Sequence, residues 1–327
     1  MLTEKPADTQ ASSPSARAGG VPRPDAVCWF EGGWVPLAEA KVGIMTHAFL
    51  YGTAVFEGIR AYWNEDQGQL YLLKLREHYE RLCDSAKVMM MDPGRTPQQL
   101  VDLTVELVRR NGYREDAYAR PTLYKSTQAI GVRLHKIDCD LNIFAVPFGD
   151  YIATDRGIAC GTVSWRRNSD LAIPARAKIV GGYANAAFAK TEAQLNGYDE
   201  AIVLAPNGHV SEGSAENLFM VRRGKIYTPG LTDSILEGIT RSALMELAHN
   251  ELGLDVVVRP IDRSELYIAD EIFLCGTGAQ VSAVTSVDHR SVGSGEAGPI
   301  TSQLTQLYFD AVRGRLPAYS SWLTPVY

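Results

Sequence analysis

Up to about residue 24 the chain has no apolar periodicity. Ala, Ser, Pro and Gly dominate there, and residues 1–24 read as a disordered tail. Patterning begins at Cys28-Trp29-Phe30, where Gly32-Gly33 turns one short strand into the next, Trp34-Val35. A short helical stretch from His47 to Tyr51 precedes a strand-like run over residues 54–62. Apolar residues then fall at helical spacing over 75–89 and 97–110, the second helix stopping at Asn111-Gly112. Strands return at 117–124 and 141–146.

Pro147-Phe148-Gly149-Asp150-Tyr151 breaks the pattern and marks a link between halves. Beyond it lie a strand at 157–165 and an Ala-rich helix at 183–196, ended by Gly197. Strands at 199–205 and 209–212 meet at Asn207-Gly208, a dipeptide suited to a type I′ turn because both residues accept positive φ. A second hairpin joins 217–221 to 225–227 through Arg223-Gly224. A helix follows Gly238, a strand at 271–275 leads into Gly276-Thr277-Gly278, and a last helix covers 300–313. This is an α+β pattern in two domains, 25–148 and 158–327, joined by a loop at 149–157.

Bulk numbers narrow the function. The 327 residues suit two domains, and 46% hydrophobic with 21% charged residues is ordinary globular composition. A net charge of −6 gives no grip on nucleic acid or an anionic membrane, and no apolar run reaches spanning length. Cys28, Cys83, Cys139, Cys160 and Cys275 form no CxxC pair, so they read as reduced cytoplasmic thiols rather than disulfides or a metal site. The tail lacks an apolar h-region, and Glu4 and Asp8 argue against a mitochondrial presequence, so the expected location is the cytoplasm.

Three places carry candidate chemistry. Lys178 stands among apolar and small residues, Ala175-Arg176-Ala177-Lys178-Ile179-Val180-Gly181, where desolvation would leave a nucleophilic amine. Alone, it reads as a snorkelling surface lysine. Glu212 opens Glu212-Gly213-Ser214-Ala215-Glu216-Asn217-Leu218-Phe219 at the mouth of a strand, where a carboxylate is normally solvated surface. Leu236-Glu237-Gly238-Ile239-Thr240-Arg241 starts a helix, whose free N–H groups make an anion seat or simply an ordinary cap.

Taken together, residues 212–241 resemble the signature of the class IV aminotransferases: Glu-x-Ser-x-x-Asn-Leu-Phe, Ile226-Tyr227-Thr228, then Leu236-x-Gly-Ile-x-Arg241. Residues 47–60, with Phe56-Glu57-Gly58-Ile59-Arg60, and 76–82 resemble the branched-chain members in particular. The resemblance runs from about Cys28 to residue 327. It implies the fold type IV architecture, a small N-terminal α/β domain and a larger C-terminal one with a barrel-like sheet. It also implies a pyridoxal 5′-phosphate cofactor, no metal, and transamination of branched-chain L-amino acids with 2-oxoglutarate.

By the same resemblance Lys178 is the lysine bonded to the cofactor, Tyr183 the tyrosine on its phenolic oxygen and Glu212 the acid on its ring nitrogen. Arg81, Ile239, Thr240 and Thr277 are the phosphate contacts. Tyr118 and Arg120 help receive the substrate carboxylate, with backbone amides from Thr277, Gly278 and Ala279. Tyr51, Phe56, Arg60 and Tyr151 belong to the substrate pocket, and Ile130-Gly131-Val132 is a loop lent by a neighbouring subunit, so at least a homodimer is implied. Gly278 stands where alanine is frequent, and Ile179-Val180 is bulkier than usual.

Rival readings are weaker. D-amino-acid aminotransferases carry Arg-x-His where this chain has Tyr118-Ala119-Arg120. Aminodeoxychorismate lyase usually differs in the Phe-Glu-Gly-Ile-Arg stretch. Gly276-x-Gly278 after a strand suggests a dinucleotide fold, but Val281 stands at the third glycine and too little chain follows.

Overall fold

The computed structural model describes residues 20–149 and 157–327. Most of the expected tail, most of the 149–157 loop and Tyr151 lie outside the described residues. The first sheet holds β1 (Val27–Phe30), β2 (Gly33–Pro36), β3 (Ala54–Phe56), β4 (Ile59–Asn64) and β5 (Gln69–Leu73). It continues with β6 (Ala117–Lys125) and β7 (Cys139–Pro147). The second sheet comprises β8 (Ile158–Arg166), β9 (Glu200–Leu204), β10 (Val210–Gly213), β11 (Asn217–Arg222) and β12 (Lys225–Thr228). Its remaining strands are β13 (Val256–Val258), β14 (Glu271–Gly276), β15 (Gln280–Val287) and β16 (Arg290–Ser291). A last strand, β17 (Leu323–Pro325), crosses back to pair with β5 in the first sheet.

Among the described residues the α-helices are α1 (His47–Tyr51), α2 (Leu75–Val88), α3 (Pro97–Asn111), α4 (Tyr183–Leu195), α5 (Ile239–Leu252) and α6 (Pro299–Val312). α2 and α3 lay Leu75, Tyr79, Leu82, Leu100 and Leu107 on the inner face of the first sheet, against Ile59, Leu70 and Leu72. α5 and α6 pack on the second sheet through Leu244, Leu247, Leu304 and Tyr308. None of the described helices is long and apolar enough to cross a membrane.

The pairing order of the second sheet, β10-β9-β8-β15-β14-β11-β12-β13, explains its shape. β10 and β11 are five places apart, yet only Ser214, Ala215 and Glu216 separate them in sequence. Five strand spacings in a flat sheet would span about 24 Å. The connection reaches roughly 14 Å at most. The sheet therefore curls, and its own curvature brings Glu212 and Asn217 to one place. The barrel-like expectation is met.

Three local differences from the sequence pattern have physical causes. The single strand expected over 54–62 is broken at Glu57-Gly58, because the Glu57 side chain turns inward to His78 and Arg81 on α2. The turn at Asn207-Gly208 is not type I′, since only Gly208 has positive φ, at 92°. Pro206 presets a turn in which Gly208 N donates to Ala205 O at 2.9 Å, and Ala205 N–H donates to His209 O at 2.8 Å. The I′ signature appears instead at Arg223 and Gly224, with φ of 51° and 72°.

Glu271, at the start of β14, links this framework to the last helix. Its carboxylate accepts from Thr301 N and Thr301 Oγ1, both at 2.7 Å, and from Ile300 N at 3.1 Å. Glu271→Ala should therefore lower the unfolding free energy by about 1–3 kcal/mol, the cost of buried donors left unpaired. Thermal denaturation checks this: the midpoint should fall, with Glu271→Gln falling less, and an unchanged midpoint in Glu271→Ala would refute the capping role.

Candidate active site

Between the two sheets lies a cavity of about 500 Å³. Its wall begins with a seam. The segment before α4 runs along β3, with Ile179 bridged to Val55, Phe56 N–H donating to Lys178 O at 3.1 Å and Gly181 N–H donating to Gly52 O at 3.1 Å. A Cβ on Gly52 would come within 2.7 Å of the Gly181 Cα, so the crossing needs glycine. The seam sets Lys178 at the cavity, and Lys178 N–H donates to Ser85 Oγ on α2 at 3.1 Å.

Lys178 Nζ donates to Tyr183 Oη at 2.7 Å, a contact made possible by the short turn Val180–Gly182, which places Tyr183 at the first turn of α4. Phe56 packs edge-on to the Tyr183 ring at 4.8 Å, and the Arg120 guanidinium stacks on Phe56 at 4.5 Å. Arg120 spends Nε and Nη2 on Tyr118 Oη, at 2.9 and 2.6 Å. Burial pushes the Tyr118 hydroxyl up, against the pull of Arg120.

Glu212 forms another wall. Its Oε2 accepts from Asn217 Nδ2 at 2.9 Å and Leu236 N at 3.2 Å, and its Oε1 pairs with Arg167 Nη2 at 2.6 Å. Burial raises the Glu212 carboxyl above its ordinary value, while Arg167, the Leu236 amide and Lys178 act in the opposite sense. Its neighbour Glu216, also on the cavity wall, is pushed up to about 8 by burial and by the negative field of Glu200.

The anion end lies at the start of α5. Gly238 caps the helix without any side-chain bond, leaving the first N–H groups of Ile239 and Thr240 without helix partners beside the cavity. A Cβ on Gly238 would fall 1.8 Å from Asn217 Oδ1, so this approach also demands glycine. Arg81 reaches across from α2, its Nη1 donating to Glu237 O at 2.6 Å.

The cavity thus gathers Lys178, Tyr183, Glu212, Arg81, Ile239, Thr240, Thr277, Phe56, Tyr118, Arg120 and Gly278 from positions far apart in sequence. Among the described residues, Arg60, Ala279 and Tyr51 were expected on this wall and are not on it; Ile130 and Val132, expected to serve a neighbouring subunit, are not on it either. Arg60 is buried behind it, donating to Gly149 O at 2.8 Å and lying 4.9 Å from the Phe148 ring, so it backs a wall residue and is not one itself. Ala279 is buried in the turn, where its carbonyl accepts from Ser282 Oγ. Tyr51 stands outside, with its hydroxyl accepting from Gly131 N, while Ile130 and Val132 project from the surface at 81% and 83% exposure. Sequence reasoning missed Arg167, Thr122 and Phe148, all on the wall. Nothing in the run Trp165-Arg166-Arg167 distinguishes the arginine that meets Glu212.

Comparison with known proteins agrees with this geometry. The family model for amino-transferase class IV matches residues 54–287. The chain is 50% identical over 299 residues to a probable branched-chain-amino-acid aminotransferase of Aquifex aeolicus, covering 91% of this chain and 96% of that one. Among solved structures it is similar to the branched-chain aminotransferase of Thermoproteus uzoniensis with norvaline, with 43% identity, TM-score 0.89 and coverage of 92% and 99%. A similar match is the T.th. branched-chain amino acid aminotransferase complexed with N-(5'-phosphopyridoxyl)-L-glutamate, at 41% identity, TM-score 0.88 and coverage of 93% and 99%. With the family match spanning both sheets and the lysine, tyrosine and carboxylate meeting in one cavity, the chain belongs to the class IV aminotransferases.

Proposed function

We propose that this chain is a pyridoxal-phosphate-dependent branched-chain aminotransferase, moving the amino group of L-leucine, L-isoleucine or L-valine to 2-oxoglutarate to give L-glutamate. The observation that carries the reading is Lys178 Nζ at 2.7 Å from Tyr183 Oη in the same cavity as the buried Glu212. The donor set suits the cofactor: an amine for its aldehyde carbon, a hydroxyl, a buried acid for a ring nitrogen, and an arginine with a helix N-terminus for a phosphate. The similar T.th. enzyme is named with a phosphopyridoxyl-glutamate ligand, which supports both the cofactor and glutamate as co-product.

When bound, pyridoxal phosphate supplies a cationic ring that withdraws the electron pair left on the substrate Cα as its proton departs. Lys178 would hold the cofactor through its amine and, once free, would move the proton at the substrate Cα. Glu212 would accept a hydrogen bond from the ring nitrogen, whose positive charge would offset the cost of burying the carboxylate. Arg81 and the amides of Ile239 and Thr240, with Thr277, hold the phosphate. Tyr118 and Arg120, with the amides of Thr277 and Gly278, receive the substrate carboxylate. The apolar Phe56 and Phe148 suit aliphatic side chains, and Arg120 offers a charge for glutamate.

The active unit in this reading is a homodimer. His47 Nε2 and Tyr51 Oη hold the backbone of Gly131, so Ile130 and Val132 stand out as apolar tips. Such tips are stable when a second copy buries them. A cytoplasmic location is supported by five free cysteines.

Reduction with borohydride should fix the phosphopyridoxyl group on Lys178, as read by peptide mapping; a label on Lys190 or Lys125 would sink the assignment. A panel of L- and D-amino acids should discharge the cofactor absorbance with L-leucine, L-isoleucine, L-valine and L-glutamate, and the D-series should be inert. Arg120→Ala removes a charge-assisted contact worth about 1.5–3 kcal/mol. Its KM for glutamate and 2-oxoglutarate should rise by about one to two orders of magnitude, with leucine affected less. Equal losses for both substrates would instead assign Arg120 to the shared carboxylate through Tyr118.

A further inference from the structure

We propose that Glu57 and His78 are positioning residues for the anion end of the site, fixing the plane of the Arg81 guanidinium so that a phosphate meets a preset fork. The inference rests on the reading that Arg81 meets the cofactor phosphate. Glu57 is fully buried, and its carboxylate takes Arg81 Nε on Oε1 and Arg81 Nη2 on Oε2, each at 2.7 Å. This is the two-bond geometry that gives arginine–carboxylate pairs their directionality. His78 Nδ1 donates to the same Oε2 at 2.7 Å and lies one turn before Arg81 on α2, so both groups converge on one carboxylate. Because an ionised carboxylate only accepts, that ring nitrogen carries the proton. The Glu57 backbone is fixed as well, its N–H donating to Pro121 O at 3.0 Å.

The donor count shows what this arrangement leaves. A guanidinium has five N–H groups. Glu57 takes one on Nε and one on Nη2, and Glu237 O takes one on Nη1. One donor remains on Nη1 and one on Nη2, beyond those that Glu57 and Glu237 take. Burial works against a charged Glu57, but Arg81 and His78 overcome it and hold the carboxyl well below the usual range. The pair is thus internally neutralised, and its contribution to anion binding is direction more than net charge.

Those two effects predict opposite signs, which makes the proposal testable. Glu57→Gln keeps the shape but turns one N–H toward the Arg81 donors and removes a negative charge. If net charge governed the site, the variant would bind phosphate more tightly. If positioning governs it, affinity for pyridoxal phosphate should fall about tenfold to a hundredfold, by analogy with the loss of a partner that orients a metal ligand. Apoenzyme would be titrated with pyridoxal phosphate and with pyridoxal, which lacks the phosphate, and the bound phosphate followed by phosphorus NMR. The expected result is a loss confined to pyridoxal phosphate, with a shifted phosphorus resonance, in Glu57→Gln and more mildly in His78→Phe. His78→Asn, which restores a donor, should recover part of it. If Glu57→Gln does not fold, the two His78 variants decide the matter. Unchanged or tighter binding of pyridoxal phosphate, or equal losses for both ligands, would overturn the proposal. Arg81→Ala is the separate control: if it does not discriminate the two ligands, the phosphate role of Arg81 itself is wrong. If it does while the Glu57 and His78 variants do not, only the positioning role fails.

Discussion

The structure depends on a seam of three backbone contacts, where the segment carrying Lys178 lies along β3. Phe56 N–H to Lys178 O, the Val55–Ile179 bridge and Gly181 N–H to Gly52 O attach a residue of the second half to β3, a short strand of the first sheet that pairs with β6. Backbone bonds hold position better than a long side chain does, because few torsions remain free. Lys178 Nζ, Phe56 and Tyr183 are thereby set relative to one another before any ligand arrives. Shifting the seam by one residue would turn alternate side chains to the opposite face and scatter the group.

The charges around the cavity show the same economy. Arg81 is matched by Glu57, Glu212 by Arg167, and Arg120 leans on Tyr118 and the face of Phe56. Isolated, each buried ion would cost several kcal/mol in desolvation. Matched and hydrogen-bonded, they remain as fixed dipoles of the kind that stabilise developing charge with little reorganisation.

Much of this was legible in the chain. The helices and hairpins followed from periodicity and turn residues, and the resemblance of residues 212–241 to the class IV signature implied that the acid and the helix start share one site. What escaped depended on distant partners. Glu57 looks like one more residue of a strand-like run until His78 and Arg81 are placed beside it, and there the strand breaks. Arg167 is anonymous because the register of β8 against β9 shifts between Thr162 and Arg166, just before it. Asn207-Gly208 forms a turn other than type I′ because Pro206, just before it, fixes its own φ and so chooses the turn.

The return of β17 to β5 has a consequence for synthesis. β5 has β4 on one side, and its other neighbour begins only at Leu323. A ribosome adding about 5–20 residues per second needs on the order of tens of seconds to reach that strand after β5 emerges. Throughout that interval the outer edge of β5 offers unpaired N–H and C=O groups to any extended segment nearby. A growing chain of this protein is therefore open to mispairing at Gln69–Leu73, an edge that a chaperone would protect until residues 323–325 emerge.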